Sequence, residues 1–214
     1  TENFLLRNDT GKNGGKIKFT DVTKEAGVGL PIKSFPVAFL DFNNDGWQDL
    51  TIQTYDAENC DYDNAAEYFN KPVKGEYSIL YKNNGDGTFT DVTKEMNMQV
   101  AMTVMGLSFG DLDNDGWMDI YSGTGTPNYT SLVPKRMFRN NEGKSYQDIT
   151  HSGGFGHLQK GHGIGFGDVD NERGRLTKIN ANMFRVLTGQ LIDASKVSSV
   201  KMRTLDQLLG YASG

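Results

Sequence analysis

The chain has 214 residues, of which 36% are hydrophobic and 11% aromatic, so it can bury a core and is not a disordered polymer. Its 22 basic and 27 acidic residues give a net charge of −5 without a basic stripe, which disfavours nucleic acid as a partner. No run of about 18 apolar residues predicts a membrane span. The single cysteine, Cys60, allows no intrachain disulfide.

Three segments of the chain share one order of elements, which indicates an internal repeat. Each segment has a short apolar strand ending in Arg/Lys-Asn, then a strand with the pattern aromatic-Thr/Gln-Asp-Val/Ile-Thr, then a strand that enters an Asp-rich loop. The interval from the strand aspartate to the first loop aspartate is 20 residues in every copy. The three pairs are Asp21 with Asp41, Asp91 with Asp111, and Asp148 with Asp168.

A further β run follows each intact loop, at residues 49–53 and 119–122, so that one unit has four short strands. Four antiparallel strands per unit, repeated radially, form the blade of a β-propeller. We therefore predict an all-β fold, a partial β-propeller of four-stranded antiparallel blades. The first unit supplies its last two strands (1–24), two units are complete (37–95 and 104–150), and a fourth begins near Gly163.

The repeat pattern ends after residue 171, which divides the chain into a propeller fragment (1–171) and a divergent tail (172–214). Apolar residues in 176–195 recur closer to a helical period than to strict alternation, and 197–211 is similarly compatible with a helix. We predict that the tail is helical or poorly ordered, and that it docks over the exposed edge of the broken propeller if it is ordered. The first residues have the pattern of the middle of a structure, so we expect a fragment of a longer protein.

The Asp-rich loop at residues 111–119, called loop two, has the composition of a calcium site. Carboxylates occupy its first, third, fifth and ninth positions. A hard divalent cation takes six to eight oxygen ligands at about 2.3 to 2.6 Å, and alternate carboxylates in a tight turn supply them. Gly116 permits the positive φ that bends the chain around an ion, and Trp117 would offer its backbone carbonyl. Residues 41–49, called loop one, repeat this pattern with Asn43 at the third position.

Two alternatives to a β-flanked calcium loop are disfavoured. An EF-hand needs an acidic ligand at position twelve and flanking helices, whereas position twelve is Ile52 or Ser122 here and the flanks are β. Acidic turns without a cation would bring three or four carboxylates together with no compensating charge. Because loop two has four carboxylates and loop one has three, we expect loop two to bind calcium more tightly.

The motif at 109–116 (FGDLDNDG), with its partner strand at 89–93 (FTDVT), resembles the FG-GAP or VCBS repeat of integrin-α-like β-propellers. Three other segments are similar to the narrower cartilage-acidic-protein-like (ASPIC/UnbV-associated) branch of that family. These segments are 123–127 (GTGTP), 136–140 (RMFRN) and 152–163 (SGGFGHLQKGHG).

The resemblance implies one calcium ion per intact loop, held between the first and second strands of a blade. The implied ligands are Asp41, Asn43, Asp45, the Trp47 carbonyl and Asp49 in loop one, and Asp111, Asp113, Asp115, the Trp117 carbonyl and Asp119 in loop two. The third copy has Asp168 and Asp170, but Arg173 replaces the turning glycine and Leu176 stands at position nine, so we expect it to be defective.

The family resemblance further implies a secreted, extracellular or periplasmic protein. We expect a calcium-binding scaffold for protein or glycan interaction or adhesion, in which the metal is structural and the propeller edge is available for pairing. The alternative is the frame domain of a secreted polysaccharide-active enzyme, a lyase or hydrolase, with catalytic groups on interblade loops or on missing blades. Since no nucleophile elbow or phosphate loop is present, we favour the scaffold without assigning catalytic residues.

Three weaker signals have structural interpretations that we favour over functional ones. The histidines could form a zinc or catalytic site, but no Cys, Asp or Glu nearby completes a set. Equivalent tryptophans in the two loops could stack on sugars, but their repetition favours packing between neighbouring blades. The acidic segment 56–77 could bind another metal, yet a solvated loop with one helical turn at 65–69 is favoured. Two glycosylation patterns begin at Asn8 and Asn128. The three histidines considered above for a zinc or catalytic site are His151, His157 and His162.

Overall fold

The computed structural model describes residues 3–128, 131–158 and 160–166, together with the backbone of 183–185. The strands in these residues are β1 (Leu6–Asn8), β2 (Phe19–Asp21), β3 (Ser34–Leu40), β4 (Asp49–Thr54), β5 (Ile79–Asn83), β6 (Phe89–Asp91), β7 (Val104–Gly110), β8 (Asp119–Thr124), β9 (Arg136–Asn140), β10 (Tyr146–Asp148), β11 (Ile164–Phe166) and β12 (Met183–Arg185). The helices are α1 (Thr23–Ala26) and α2 (Cys60–Tyr68), and Thr10–Asn13 form a 3₁₀ turn.

Two four-stranded antiparallel sheets form the centre of the described structure. Their strand orders are β3-β4-β5-β6, called the first blade, and β7-β8-β9-β10, called the second blade. Each strand pairs with its neighbour in sequence, as in the blade of a propeller. β1 pairs with β2, and β11 pairs with β12, as two-stranded sheets on either side of these blades in the sequence. The predicted all-β fold with two complete and two partial blades is confirmed.

The Asp-Val/Ile-Thr motif recurs because it links the last two strands of every unit in the same way. In the second blade, Asp148 Oδ1 accepts a hydrogen bond from Thr150 N at 2.8 Å, and Thr150 Oγ1 accepts one from Met137 N at 3.0 Å. The first blade has the same contact from Leu80 N to Thr93 Oγ1 at 2.9 Å. A threonine hydroxyl that ends a strand ladder satisfies a backbone N–H group that would otherwise be unpaired.

The main hydrophobic core lies between the two blades. Leu40 and Leu80 of the first blade belong to one cluster with Val104, Ile120 and Phe138 of the second blade. Methionines of the linker between the blades complete this core, namely Met96, Met98 and Met102. β4 and β8, the second strands, are buried along their whole length, because each is covered on both faces. The core therefore fixes the two Asp-rich loops next to each other.

The other face of β3 is exposed. Phe35, Val37 and Phe39 alternate along the strand with 61%, 59% and 48% of their surface accessible. Leu107, which corresponds to Val37 in the second blade, packs instead against the core between the blades. The difference arises because the unit before the first blade supplies only β1 and β2 to the described structure. Leu5, next to β1, packs instead against a cluster on β4 and β5 of the first blade, which contains Leu50 and Tyr81.

The structure corrects the expectation of a solvated loop at 56–77. α2 begins at Cys60 and runs to Tyr68, so it is longer than the predicted single turn. Asp63 on this helix is buried because its two carboxylate oxygens accept hydrogen bonds from the backbone N–H groups of Lys74 and Gly75, at 2.7 and 2.9 Å. Backbone donors, rather than water, thus satisfy this carboxylate.

The tail prediction is only partly covered by the described residues. Met183–Arg185, which the periodicity placed in a helix, are extended and pair antiparallel with β11. Pairing satisfies the backbone groups along one edge of β11, and this tertiary contact overrides the local periodicity. The rest of the tail, 172–182 and 186–214, lies outside the described residues.

Candidate metal centre

The two Asp-rich loops connect the first and second strands of their blades and have the same backbone shape. Gly46 and Gly116 have φ values of 87° and 89°, and Asn44 and Asn114 have φ values of 54° and 57°. Glycine and asparagine adopt these left-handed conformations with the least strain. Each loop therefore folds back within a few residues and keeps its side chains on one side.

The first aspartate of each loop organises the turn. Asp111 accepts hydrogen bonds from Asp115 N at 3.0 Å and from Gly116 N at 2.8 Å. Asp41 accepts the corresponding bonds from Asp45 N at 3.1 Å and Gly46 N at 2.9 Å. These bonds bend the chain around the carboxylate and bring alternate side chains together.

Loop two brings three predicted ligands to one point. Asp111, Asp113 and Asp115 each offer a carboxylate oxygen, and these oxygens lie within 4.8 Å of one another. Oδ1 of Asp113 is buried and has no hydrogen-bond partner in the described residues. A buried carboxylate oxygen without a donor is costly, and a cation with oxygen preference would satisfy it. The residues present therefore fit a hard divalent cation.

The pKa of Asp115 is raised, first by burial and also by the neighbouring charges of Asp113 and Asp111. Like charges held close together disfavour ionisation, and a bound divalent cation would reverse that effect.

Loop one forms a less acidic version of this site. The Asn43 amide donates from Nδ2 to Asp45 Oδ2 at 2.9 Å, and its Oδ1 accepts a bond from Asp45 N at 3.1 Å. Lys82 Nζ lies 3.7 Å from Asp45 Oδ2. Two carboxylates and one amide are thus available here, where loop two has three carboxylates.

The ninth-position aspartates lie beneath the loops. Asp49 and Asp119 are fully buried. Asp119 accepts hydrogen bonds from Leu112 N and Asn140 N, both at 2.7 Å, and so ties the loop to β9. Asp49 accepts the equivalent bonds from Phe42 N at 3.1 Å and Asn83 N at 2.8 Å. Both oxygens of each carboxylate thus accept hydrogen bonds from backbone N–H groups. The predicted role of Asp49 and Asp119 as metal ligands stays a prediction.

Burial raises the pKa of Asp49 and of Asp119 to about 6, although their backbone hydrogen bonds act in the opposite direction. Removing a carboxylate from water disfavours its charged form. These two groups are therefore sensitive to pH and to any positive charge bound in the loops above them.

Arg139 is a functional candidate for which the sequence assigned no role. Its guanidinium Nε bonds to Asp113 Oδ2, and its Nη2 bonds to Asp115 Oδ2 at 3.1 Å. The signal was present, since each unit has Arg or Lys immediately before the asparagine of its third strand. That position places Lys82 and Arg139 above loops one and two.

The two loops also contact each other across the blade boundary. Asn44 in loop one donates from Nδ2 to the carbonyl of Gly116 in loop two at 3.1 Å. Trp117 lies over Gly143, where an added Cβ would meet its ring at 2.6 Å, and Trp47 lies over Gly85 in the same way at 3.0 Å. Each tryptophan thus packs on a turn of its own blade, and the Gly143 turn also approaches Asn43 of loop one, so packing of the tryptophans between blades stays a prediction.

Other predicted candidates do not form a second site in the part of the chain that the structure describes. There, the three aspartates of loop two are the one group of three or more His, Cys, Asp or Glu side chains able to hold a metal, so the histidines do not form such a group. Cys60 is buried, and burial raises the pKa of its thiol. Asp168, Asp170 and Arg173 of the third loop, and Tyr129 and Thr130 of one glycosylation pattern, lie outside the described residues.

Comparison with known proteins relates the chain to a repeat family and to an integrin. The family described as FG-GAP-like repeat matches residues 73–122, which include all of loop two. Integrin alpha-3 of Mus musculus is 29% identical over 124 residues, which cover 56% of this chain and 10% of the integrin. The chain thus corresponds to about a tenth of the length of that relative. Neither match distinguishes the cartilage-acidic-protein-like branch, which stays a prediction. No helix in the described residues is long and apolar enough to cross a membrane.

Proposed function

We propose that this chain, in which residues 73–122 match the FG-GAP-like repeat family and which is similar to an integrin α chain, is a calcium-binding β-propeller scaffold for extracellular protein or glycan interaction. The metal is structural in this proposal and performs no chemistry. Secretion and adhesion are part of the same proposal and rest on the similarity to an integrin α chain.

The observation that carries the calcium proposal is the convergence of Asp111, Asp113 and Asp115, with a buried oxygen of Asp113 left without a donor. These residues would hold the ion in loop two, and Asp41, Asn43 and Asp45 would hold it in loop one. A bound cation supplies positive charge that links the carboxylates of one loop. Since loop one contacts loop two through Asn44 and Gly116, such links rigidify the boundary between the blades.

Thermal unfolding with and without calcium tests this proposal. An ion that binds only the folded state stabilises it by about 2.7 kcal/mol at a hundredfold excess over the dissociation constant. We expect calcium to raise the melting temperature and EGTA to lower it. The double variant Asp41→Asn/Asp111→Asn should lose most of this shift, whereas Glu142→Gln, an exposed acidic residue outside the loops, should keep it. An identical melting temperature in calcium and in EGTA for the unsubstituted chain would refute the proposal.

A further inference from the structure

Arg139 places a positive charge directly against the carboxylates of loop two. It reaches the loop from β9 and bonds to two of the three converging carboxylates, Asp113 and Asp115. The planar guanidinium presents its N–H groups in a rigid fork, so it can bridge two neighbouring carboxylates in one orientation. Its side chain is 38% exposed, and those of Asp113 and Asp115 are 31% and 28% exposed, so solvent only partly screens these contacts.

Loop one has a weaker form of the same arrangement. Lys82 corresponds to Arg139 in its blade, but its Nζ lies 3.7 Å from a single carboxylate oxygen of Asp45. The third position of loop one is Asn43, whose amide donates to Asp45 and replaces one anionic neighbour with a neutral donor. Loop two thus has both one more carboxylate and a more closely bound cationic side chain.

We propose that Arg139 is the resident counter-ion of loop two, holding the loop together without a divalent cation and opposing the binding of that cation. The first half follows from charge, since Asp111, Asp113 and Asp115 would otherwise repel one another. The second half follows because a guanidinium bonded to two ligand carboxylates repels a dication bound to those carboxylates. Arg139 therefore reduces the advantage in calcium affinity that the additional carboxylate of loop two, Asp113, would provide. This inference rests on the proposed calcium function.

The test is to neutralise the counter-ion of one loop while the other loop is disabled. Arg139→Met in an Asp41→Asn background reports on loop two, and Lys82→Met in an Asp111→Asn background is the matched variant for loop one. Calcium affinity is measured by calorimetric titration at low and high salt. We expect Arg139→Met to tighten calcium binding by roughly threefold to thirtyfold at low salt, and by less at high salt. Lys82→Met should change the affinity by about threefold or less.

A second measurement examines the calcium-free state. In EGTA, Arg139→Met should melt at a lower temperature than its parent, because loop two loses the positive charge that separates its carboxylates. Arg139→Lys keeps the charge but lacks the fork, so it should lie between the parent and Arg139→Met in both measurements. This series separates a loss of charge from a general loss of folding.

The outcomes distinguish the inference from the proposed function. Unchanged or weaker calcium binding by Arg139→Met would overturn the inference, and weaker binding would instead make Arg139 a residue that orients Asp113 as a ligand. If the unsubstituted chain binds no calcium, the proposed function fails and the opposing role fails with it. The melting temperatures in EGTA still decide in that case whether Arg139 stabilises loop two as its counter-ion.

Discussion

The side-chain amide of Asn140 in the second blade donates a hydrogen bond at 2.8 Å to the main-chain carbonyl of Phe42, 98 residues earlier, in loop one. The same nitrogen lies 3.2 Å from the carbonyl of Met118 in loop two. One buried amide therefore joins both candidate metal loops across the blade boundary. Asn83, the equivalent residue of the first blade, donates to a single carbonyl, that of Gln48 at 2.9 Å, at an exposed position.

Asn140→Ala should therefore destabilise the protein more than Asn83→Ala. The first substitution leaves the Phe42 and Met118 carbonyls without their amide donor, and we expect a cost of about 2 to 4 kcal/mol. The second removes the exposed bond to Gln48 and the bond that Asn83 Oδ1 accepts from Gly85 N, and it should cost about 1 kcal/mol because neither bond crosses the blade boundary. Urea unfolding monitored by tryptophan fluorescence measures both values. Equal costs would mean that the contact between the blades does not contribute to stability.

The threonine that ends each repeat motif gives a second matched pair. Thr150 is fully buried and accepts a hydrogen bond from Met137 N, whereas Thr23 accepts the equivalent bond from Leu5 N at a half-buried position. Valine has nearly the shape of threonine but no hydroxyl. Thr150→Val should cost about 1 to 3 kcal/mol through the unpaired N–H group, and Thr23→Val should cost less because water can reach its partner. The opposite ranking in urea unfolding would contradict this account.

The repeat spacing predicted the blades because each blade uses equivalent residues at the same positions along its strands. The constant interval of 20 residues begins at Asp21, Asp91 and Asp148. Each of these aspartates ends its strand in the same way, by accepting a hydrogen bond from the backbone N–H of the threonine two residues later. This motif bonds to the preceding strand of its own unit, so its pattern is visible along the chain.

What the sequence did not predict depends on contacts between different segments. The burial of Asp63 requires Lys74 and Gly75, and the role of Arg139 requires a carboxylate 26 residues earlier. The ninth-position aspartates show a further limit. Their place in the motif predicts that they are metal ligands, and that stays a prediction. The sequence pattern does not reveal that both oxygens of each carboxylate also accept hydrogen bonds from the backbone.

The exposed face of β3 should tolerate polar substitution. Val37→Ser removes an apolar side chain that is 59% exposed, so the free energy of unfolding should change by about 0.5 kcal/mol or less. Leu107→Ser, at the equivalent position of β7, opens the core between the blades and should cost about 2 kcal/mol or more. Light scattering should also show less self-association for Val37→Ser, because an exposed apolar strand face promotes it. A cost at Val37 equal to that at Leu107 would show that another chain covers this face in solution.

Calcium-free protein should lose stability as the pH rises from about 4 to about 6. Asp49 and Asp119 keep their protons up to a pKa of about 6 in the folded state, whereas an unfolded chain releases such protons near pH 4. The folded state binds more protons in this window, so the free energy of unfolding falls as the pH rises and stays low above it. Asp9, whose pKa is lowered to about 2 by its bond to Arg7, acts in the opposite direction but only below about pH 4.

Urea midpoints in EGTA between pH 4.5 and 7.5 measure this slope. Asp119→Asn should make the slope shallower without abolishing it, since the amide does not titrate but Asp49 still does. Glu142→Gln, which removes a carboxylate paired with Lys144 at the surface, should leave the slope unchanged. Calcium should reverse the trend because a bound cation favours the ionised carboxylates of both loops and binds more tightly as the pH rises. A midpoint in EGTA that rises with pH across this window would show that these two aspartates are ionised in the folded protein at pH 5.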